Sequence, residues 1–200
     1  APIADAEHAE LATKAAIAMQ EEAVRLNERL LARNWPTLAI GVGVNTGQMR
    51  VGDMGSKIRR AYTVMGDAVN LGSRLEGITK TYGVGVIVGP QTKAAVSGMV
   101  FQELDAVKVK GKNEPVFIYA PLGEHSAVTE QQLTGLRVWE TMLTQFKAQQ
   151  WDAALQSLHE WHSHSPEFNV LYDLYAARIA YFKETPPPEN WNGVTQFDTK

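Results

Sequence analysis

The stretch Tyr62–Gly77, YTVMGDAVNLGSRLEG, decides the reading of this chain. Four residues of strand character run into a Gly66-Asp67 turn, and a helix begins at once, placing Asn70 and Arg74 one turn apart on a single face. An amide and a guanidinium side by side are either a solvated helix flank or part of a site, and the surrounding sequence has to discriminate. Upstream, TLAIGVGVNTGQMRVGDMG is apolar and β-branched on both sides of NTG, which predicts a β-hairpin turning there. Further upstream, Leu11, Ala15, Ala18, Met19, Ala23, Leu26 and Leu30 recur at helical spacing and predict an amphipathic helix over 5–33, ended by Asn34 and Pro36. Downstream, GVGVIVGP reads as a strand, PQTKAAVSG as a short helix, and FQELDAVKVKGKNEPVFIYAPLG as two strands joined at GKNEP.

That order of elements predicts an α+β fold, a mixed sheet covered by helices, over residues 1–123. A polar linker, 124–129, follows. Three helices are then expected at 130–148, 151–162 and 167–182, with Trp139, Phe146, Trp151, Ala154, Leu158, Leu171, Leu174, Ala177 and Tyr181 forming their apolar stripes. Residues 130–183 thus make a small helical unit similar to one tetratricopeptide repeat, and 184–200 a proline-containing tail.

Composition narrows the function classes. With 44% hydrophobic residues the chain can bury a core, and a formal net charge of −3 with both signs interspersed gives no basic stripe for a phosphate backbone. Nucleic acid is therefore not an expected partner. The absence of cysteine excludes disulfides and thiolate metal sites. No apolar run approaches the roughly 20 residues that span a bilayer, so no membrane contact is expected of this stretch. The start, APIADAEHAELATKAAIAM, has neither an initiator Met nor a signal-peptide core and reads as the interior of something longer.

The motif GVNTGQMRVGDMGSKIRRAYTVMGDAVNLGSRLEGITKTYG, followed by LDAVKVKGKNEPVFIY, resembles the second half of the class III adenylate/guanylate cyclase catalytic domain, over roughly 40–123. The resemblance implies a partial, mostly antiparallel, ferredoxin-like sheet and the conversion of a nucleoside triphosphate to a 3',5'-cyclic monophosphate and pyrophosphate at a site shared by two catalytic domains, here as a homodimer. By match to the family motif, Arg74 is the transition-state residue, Asn70 orients the ribose, Lys110 contacts the triphosphate and Thr63 reads the purine edge. These residue types suit the chemistry. An always-protonated planar fork matches phosphorane oxygens, and a compact ammonium matches terminal phosphates. A threonine hydroxyl both donates and accepts, so it takes an adenine amino group yet tolerates a carbonyl; ATP and cyclic AMP are favoured over their guanine counterparts.

The resemblance also implies two divalent ions, Mg or Mn. Their Asp ligands belong to motifs upstream of the first helix that this sequence lacks, so no metal ligand is assigned here. Asp53 reads as a hairpin residue and Asp67 as a helix N-cap. His159, His162 and His164 have helical spacing but no fourth ligand nearby, and no metal is assigned to them. Two readings of the half-site follow: a fragment of a larger cyclase, inactive by itself, or an inactive cyclase-like partner or binding module working through its helical unit. The PPPENWNGV tail resembles the end of bacterial membrane-anchored sensor cyclases, which implies a cytoplasmic catalytic end in signal transduction.

Overall fold

The computed structural model describes residues 5–55, 60–108 and 114–197. Two compact units are distinguished, Ala1–Thr79 with Gly85–Gly98 and Lys80–Val84 with Met99–Lys200.

In the first unit, α1 (His8–Leu31) precedes β1 (Val42–Val44), β2 (Arg50–Gly55) and β3 (Arg60–Met65). Helix α2 (Asp67–Tyr82) then leads to β4 (Val86–Val88) and α3 (Pro90–Ala95). The expected hairpin at NTG is not formed. β1 instead pairs in parallel with β4, Val42 facing Val86 and Val44 facing Val88, and β2 pairs antiparallel with β3 as a separate two-stranded ribbon. The turn residues are occupied elsewhere. The Asn45 amide donates to Ala68 O at 2.9 Å, and the Thr46 and Thr92 hydroxyls meet at 3.0 Å. Periodicity alone cannot separate a buried parallel strand from one arm of a hairpin, and β4, buried at all three residues, is the partner that decides.

α1 falls within the expected 5–33 but is shorter at both ends, and its buried positions are Ala9, Thr13 and Ala16, while Leu11 and Met19 of the expected stripe are exposed. Amides fasten it to the strands. Gln20 Nε2 donates to the carbonyls of Ile40 and Gly85, and Asn27 exchanges two bonds with the backbone of Leu38. α2 lies so close to β1 that a Cβ on Gly43 would overlap the Gly72 carbonyl and sit 2.5 Å from Glu76 N. Leu71, Leu75, Ile78, Thr79 and, at its end, Tyr82 are its buried residues.

The second unit holds the end of α2, β5 (Met99–Lys108), β6 (Val116–Glu124), α4 (Glu130–Lys147), α5 (Trp151–His164), a 3₁₀ turn at Pro166–Phe168, α6 (Asn169–Glu184) and β7 (Val194–Gln196). β5 pairs antiparallel with β6 and parallel with β7. Between Glu103 and Asp105 the β5–β6 register shifts by a bulge, which leaves Leu104 without a strand partner. The helices take up the bonding capacity freed there. Trp139 Nε1 donates to Glu103 O at 2.5 Å and Tyr175 hydroxyl to Leu104 O at 2.7 Å. The same shift lets Leu104, Asp105, Ala106 and Val107 all be buried in succession.

The helical core is aromatic. Trp139 lies 4.3 Å from Trp161 and 5.1 Å from Tyr175, ring centroid to centroid, and Phe146 lies 5.1 Å from Tyr175. On α6 the buried stripe is Leu171, Tyr175 and Ile179 rather than the expected Leu174, Ala177 and Tyr181. α4 starts with a capping box in which Thr129 and Gln132 satisfy each other's backbone N–H groups. The proline-containing tail returns as β7, with Val194 opposite Ala106 and Gln196 opposite Lys108.

Asp105 fastens these pieces. Its Oδ2 accepts from Tyr82 hydroxyl at 2.7 Å, Arg178 Nη1 at 2.8 Å and Thr195 hydroxyl at 2.8 Å, and its Oδ1 accepts from Ala106 N. Burial pushes the Tyr82 phenol well above the ordinary tyrosine range, and the Asp105 carboxylate adds to the effect while Arg178 opposes it. Tyr175 is raised as well, again by burial first and Asp105 second. Ionisation of the unfolded phenols begins near pH 10 while the folded ones stay neutral, so the unfolded state gives up protons first and stability falls as pH climbs above about 10. Urea midpoints measured from pH 9 to 11.5 are expected to fall, with a shallower fall in Tyr82→Phe; equal slopes would remove Tyr82 from this account.

Candidate active site

The ribbon β2–β3 and the first turns of α2 carry the candidate site, all within the first unit. Arg50 stands opposite Met65, Gly52 opposite Thr63 and Met54 opposite Ala61. Residues directly opposite share a face of an antiparallel pair, so Thr63 lies on the face that carries Arg50, Met54 and Met65. Glycine at 52 leaves the position across from Thr63 empty, with nothing within 4 Å of where its Cβ would lie. A pocket of about 520 Å³ is lined by Gln48, Met49, Arg50, Met54, Met65 and Gly66. The sequence alone does not single out Arg50; strand alternation gives its face once β2 is paired with β3 instead of β1.

Gly66 joins this ribbon to α2. Its φ of +155° would strain a side chain, and a Cβ there would come 3.2 Å from Gln48 O. Its carbonyl accepts from the N–H groups of Val69 and Asn70, which starts the helix. Asp67 sits in that first turn rather than before it, where a carboxylate favours the helix N-terminal dipole.

The helix resolves the pairing seen in the sequence. At about 100° per residue, Asn70 is rotated about 200° from Ala68 and Arg74 about 200° from Gly72, the two residues that approach Asn45 and β1. Asn70 is exposed and Arg74 half-buried, and neither side chain bonds to another described residue. Thr63 is exposed on β3, directly upstream. Lys110 lies outside the described residues, so its placement relative to the other three is an expectation from the motif. Around the ribbon, Met49, Tyr62, Val64 and Met65 are exposed, Tyr62 by 65% and Met65 by 56%. Apolar side chains thus stand open on both ribbon faces.

The pocket beside Arg50 is lined by none of Thr63, Asn70 and Arg74; taken singly, Asn70, Arg74, Thr63 and Arg50 offer cations and neutral donors, which suit an anion and not a metal ion. Among the described residues no group of three or more His, Asp or Glu could hold a metal ion. The described residues here do not fit a divalent ion. His159 Nδ1 and His162 Nε2 are instead engaged with Tyr172 hydroxyl at 2.8 Å and Asn169 Oδ1 at 3.0 Å.

Residues 3–120 match the family described as the adenylate and guanylate cyclase catalytic domain, more than half of the chain. The chain belongs to this family. Among its relatives, Adenylate cyclase 1 of Rhizobium meliloti (strain 1021) is 40% identical over 129 residues, covering 64% of this chain and 19% of the relative. An adenylate cyclase of Anabaena cylindrica is 35% identical over 119 residues, 54% of this chain and 23% of its own length. Soluble guanylate cyclase 89Db of Drosophila melanogaster is 34% identical over 92 residues, 46% of this chain and 14% of the relative. This chain thus spans about a fifth of the first two relatives. Of solved structures, the guanylyl cyclase Cya2 superposes with a TM-score of 0.54 at 28% identity over 64% of this chain and 65% of that one. A bacterial light-regulated adenylyl cyclase gives 0.52 at 25% identity over 67% and 40%. The α+β cyclase fold expected from the motif is the fold of this member of the family.

Proposed function

We propose that this chain is the C-terminal portion, residues 1–123, of a nucleotide cyclase catalytic domain, with 130–183 an appended helical unit, and that it lends Arg74, Asn70, Lys110 and Thr63 to a site completed by a second cyclase domain, in a homodimer. The reaction is ATP to 3',5'-cyclic AMP. The ribose 3'-oxygen bonds to the α-phosphorus, the bond from that phosphorus to the pyrophosphate oxygen breaks, and the hydroxyl proton passes to solvent. Arg74 stabilises charge gathering on the phosphorane oxygens, Asn70 holds the ribose, and Lys110 neutralises the terminal phosphates.

The observation that carries this reading is the division of α2 into a flank locked against β1 and a flank on which the Asn70 and Arg74 side chains bond to no other described residue. The exposed apolar residues on both ribbon faces support a second domain as the missing wall. The two divalent ions, Mg or Mn, would be held by the family's Asp ligands, which this sequence does not contain. Relatives named as adenylate and as guanylate cyclases both occur, and the Thr63 hydroxyl accommodates either purine, so the preference for ATP rests on the motif. We also place the domain at the cytoplasmic end of a membrane-anchored signalling protein, on the resemblance of the tail; no helix among the described residues is long and apolar enough to cross a membrane.

The test is the purified full-length protein with ATP or GTP and Mg²⁺ or Mn²⁺, its products separated by chromatography. Cyclic AMP in excess is expected. An excess of cyclic GMP would reverse the substrate, and no cyclic product from either would leave the inactive-partner reading. The 200-residue chain alone is expected to be inactive, since it supplies one wall of the site.

A further inference from the structure

We propose that Asn45 is a positioning residue for the cyclisation: its amide sets where along β1 the helix carrying Asn70 and Arg74 comes to rest. The inference rests on the nucleotide cyclase reading. It begins with an anomaly. Asn45 Oδ1 is buried without a hydrogen-bond partner, although the same amide donates through Nδ2 to Ala68 O at 2.9 Å. A buried acceptor left unpaired weakens a fold, and an apolar side chain of the same size would fill the space without that cost. The amide is therefore placed for its donor.

Its surroundings show what the donor does. α2 and β1 meet through glycine, with Gly43 against the backbone of Gly72 and Glu76. Glycine contacts allow close approach but provide no knob to stop one element sliding along the other. Asn45, at the end of β1, supplies the stop. Gly89 leaves the slot that admits it, since a Cβ on Gly89 would overlap Asn45 Oδ1, and Gly72 faces its Cβ from the helix side, 3.7 Å from where a Cβ of its own would lie. Slotted in this way, the amide pins the Ala68 carbonyl. At a rise of about 1.5 Å per residue, Asn70 and Arg74 stand roughly 3 Å and 9 Å further along the same rigid rod, so a slip at Ala68 displaces both together. Displacements of that kind act on the reaction more than on binding, because in-line attack tolerates little misplacement.

The test compares wild type, Asn45→Ala, Asn45→Asp and a control, Gln20→Ala, in the full-length protein. Gln20 ties α1 to the Ile40 and Gly85 carbonyls, neither of them in α2, so its loss weakens the unit elsewhere. Asn45→Ala is expected to lower kcat about 10-fold with KM within twofold. Asn45→Asp, isosteric but facing a carbonyl with an acceptor, should lower kcat further. Gln20→Ala should depress the melting temperature while keeping kcat within twofold. Hydrogen exchange at the Asn70 amide, in the pinned turn, should quicken in both Asn45 variants and not in the control. An equal kcat loss in Gln20→Ala, a change confined to KM, or unaltered exchange at Asn70 would each overturn the inference. If wild type makes no cyclic nucleotide, the functional reading fails and the inference goes with it; if wild type is active and the Asn45 variants match it, the inference alone fails.

Discussion

In the full-length protein Arg74→Ala is expected to lower kcat by about 10²- to 10³-fold while KM stays within a few-fold of wild type, the usual consequence of removing one electrostatic stabiliser of a transition state. Cyclisation moves negative charge onto the phosphorane oxygens and the departing pyrophosphate, and a guanidinium in place before the reaction has no reorganisation to undergo. The structure supports that assignment in two respects. Arg74 is half-buried yet bonds to no described residue, and it projects from a helix whose opposite flank is fixed on β1. Arg74→Lys keeps a charge but loses the planar fork, so only a small part of the activity should return. Steady-state kinetics with the cyclic product as readout settles the matter. A rise in KM at constant kcat would make Arg74 a ground-state ligand instead.

The second large effect concerns stability. Arg178→Ala is expected to destabilise the chain by about 3–5 kcal/mol, because it leaves the Asp105 carboxylate buried beside Tyr82 and Thr195 without its counter-charge. Asp105 is 3% exposed and Arg178 15%, so water does little to screen the loss. In a chain of this size that corresponds to a fall of roughly 6–20 °C in melting temperature, or an equivalent loss in urea midpoint. Asp105→Asn in the same background should recover part of it, since an amide carbonyl still accepts from Tyr82 and Thr195 without a stranded charge. A loss below about 1 kcal/mol for Arg178→Ala would mean that the pair behaves like an exposed one.

Local chemistry made much of this molecule legible. The turn at Gly66, the helix after it and the one-turn spacing of Asn70 and Arg74 follow from residues within a dozen positions of one another, and the structure has them there, with Asp67 as the first residue of the helix instead of its N-cap. Long-range pairing was hidden. Nothing near NTG says that Val42–Val44 pairs with Val86–Val88, more than forty residues away, and the mistaken hairpin followed. Arg50 was lost with it, because its face is defined only by its partner Met65. Tyr175 was missed for a related reason. The stripe on α6 depends on which carbonyls the bulge at Leu104 frees on a distant strand, and the helix is apolar enough all round to permit either choice. The tail strand β7 follows three prolines and has three residues, too few for any alternation to show.

The position of the Asp105 carboxylate in chain order also constrains how the polypeptide reaches this state. Its partners Arg178 and Thr195 are 73 and 90 residues further on. On a ribosome adding residues from the N-terminus, β5 is made long before either donor emerges, and during that interval its acid has to remain hydrated or find a temporary partner. Contacts of such sequence separation close slowly, because the intervening loop must be ordered before they form. The second unit is thus completed by its last few residues, and a ribosome stalled after α5 would hold a strand with an unmatched acid and an unfinished aromatic core, a state suited to capture by chaperones.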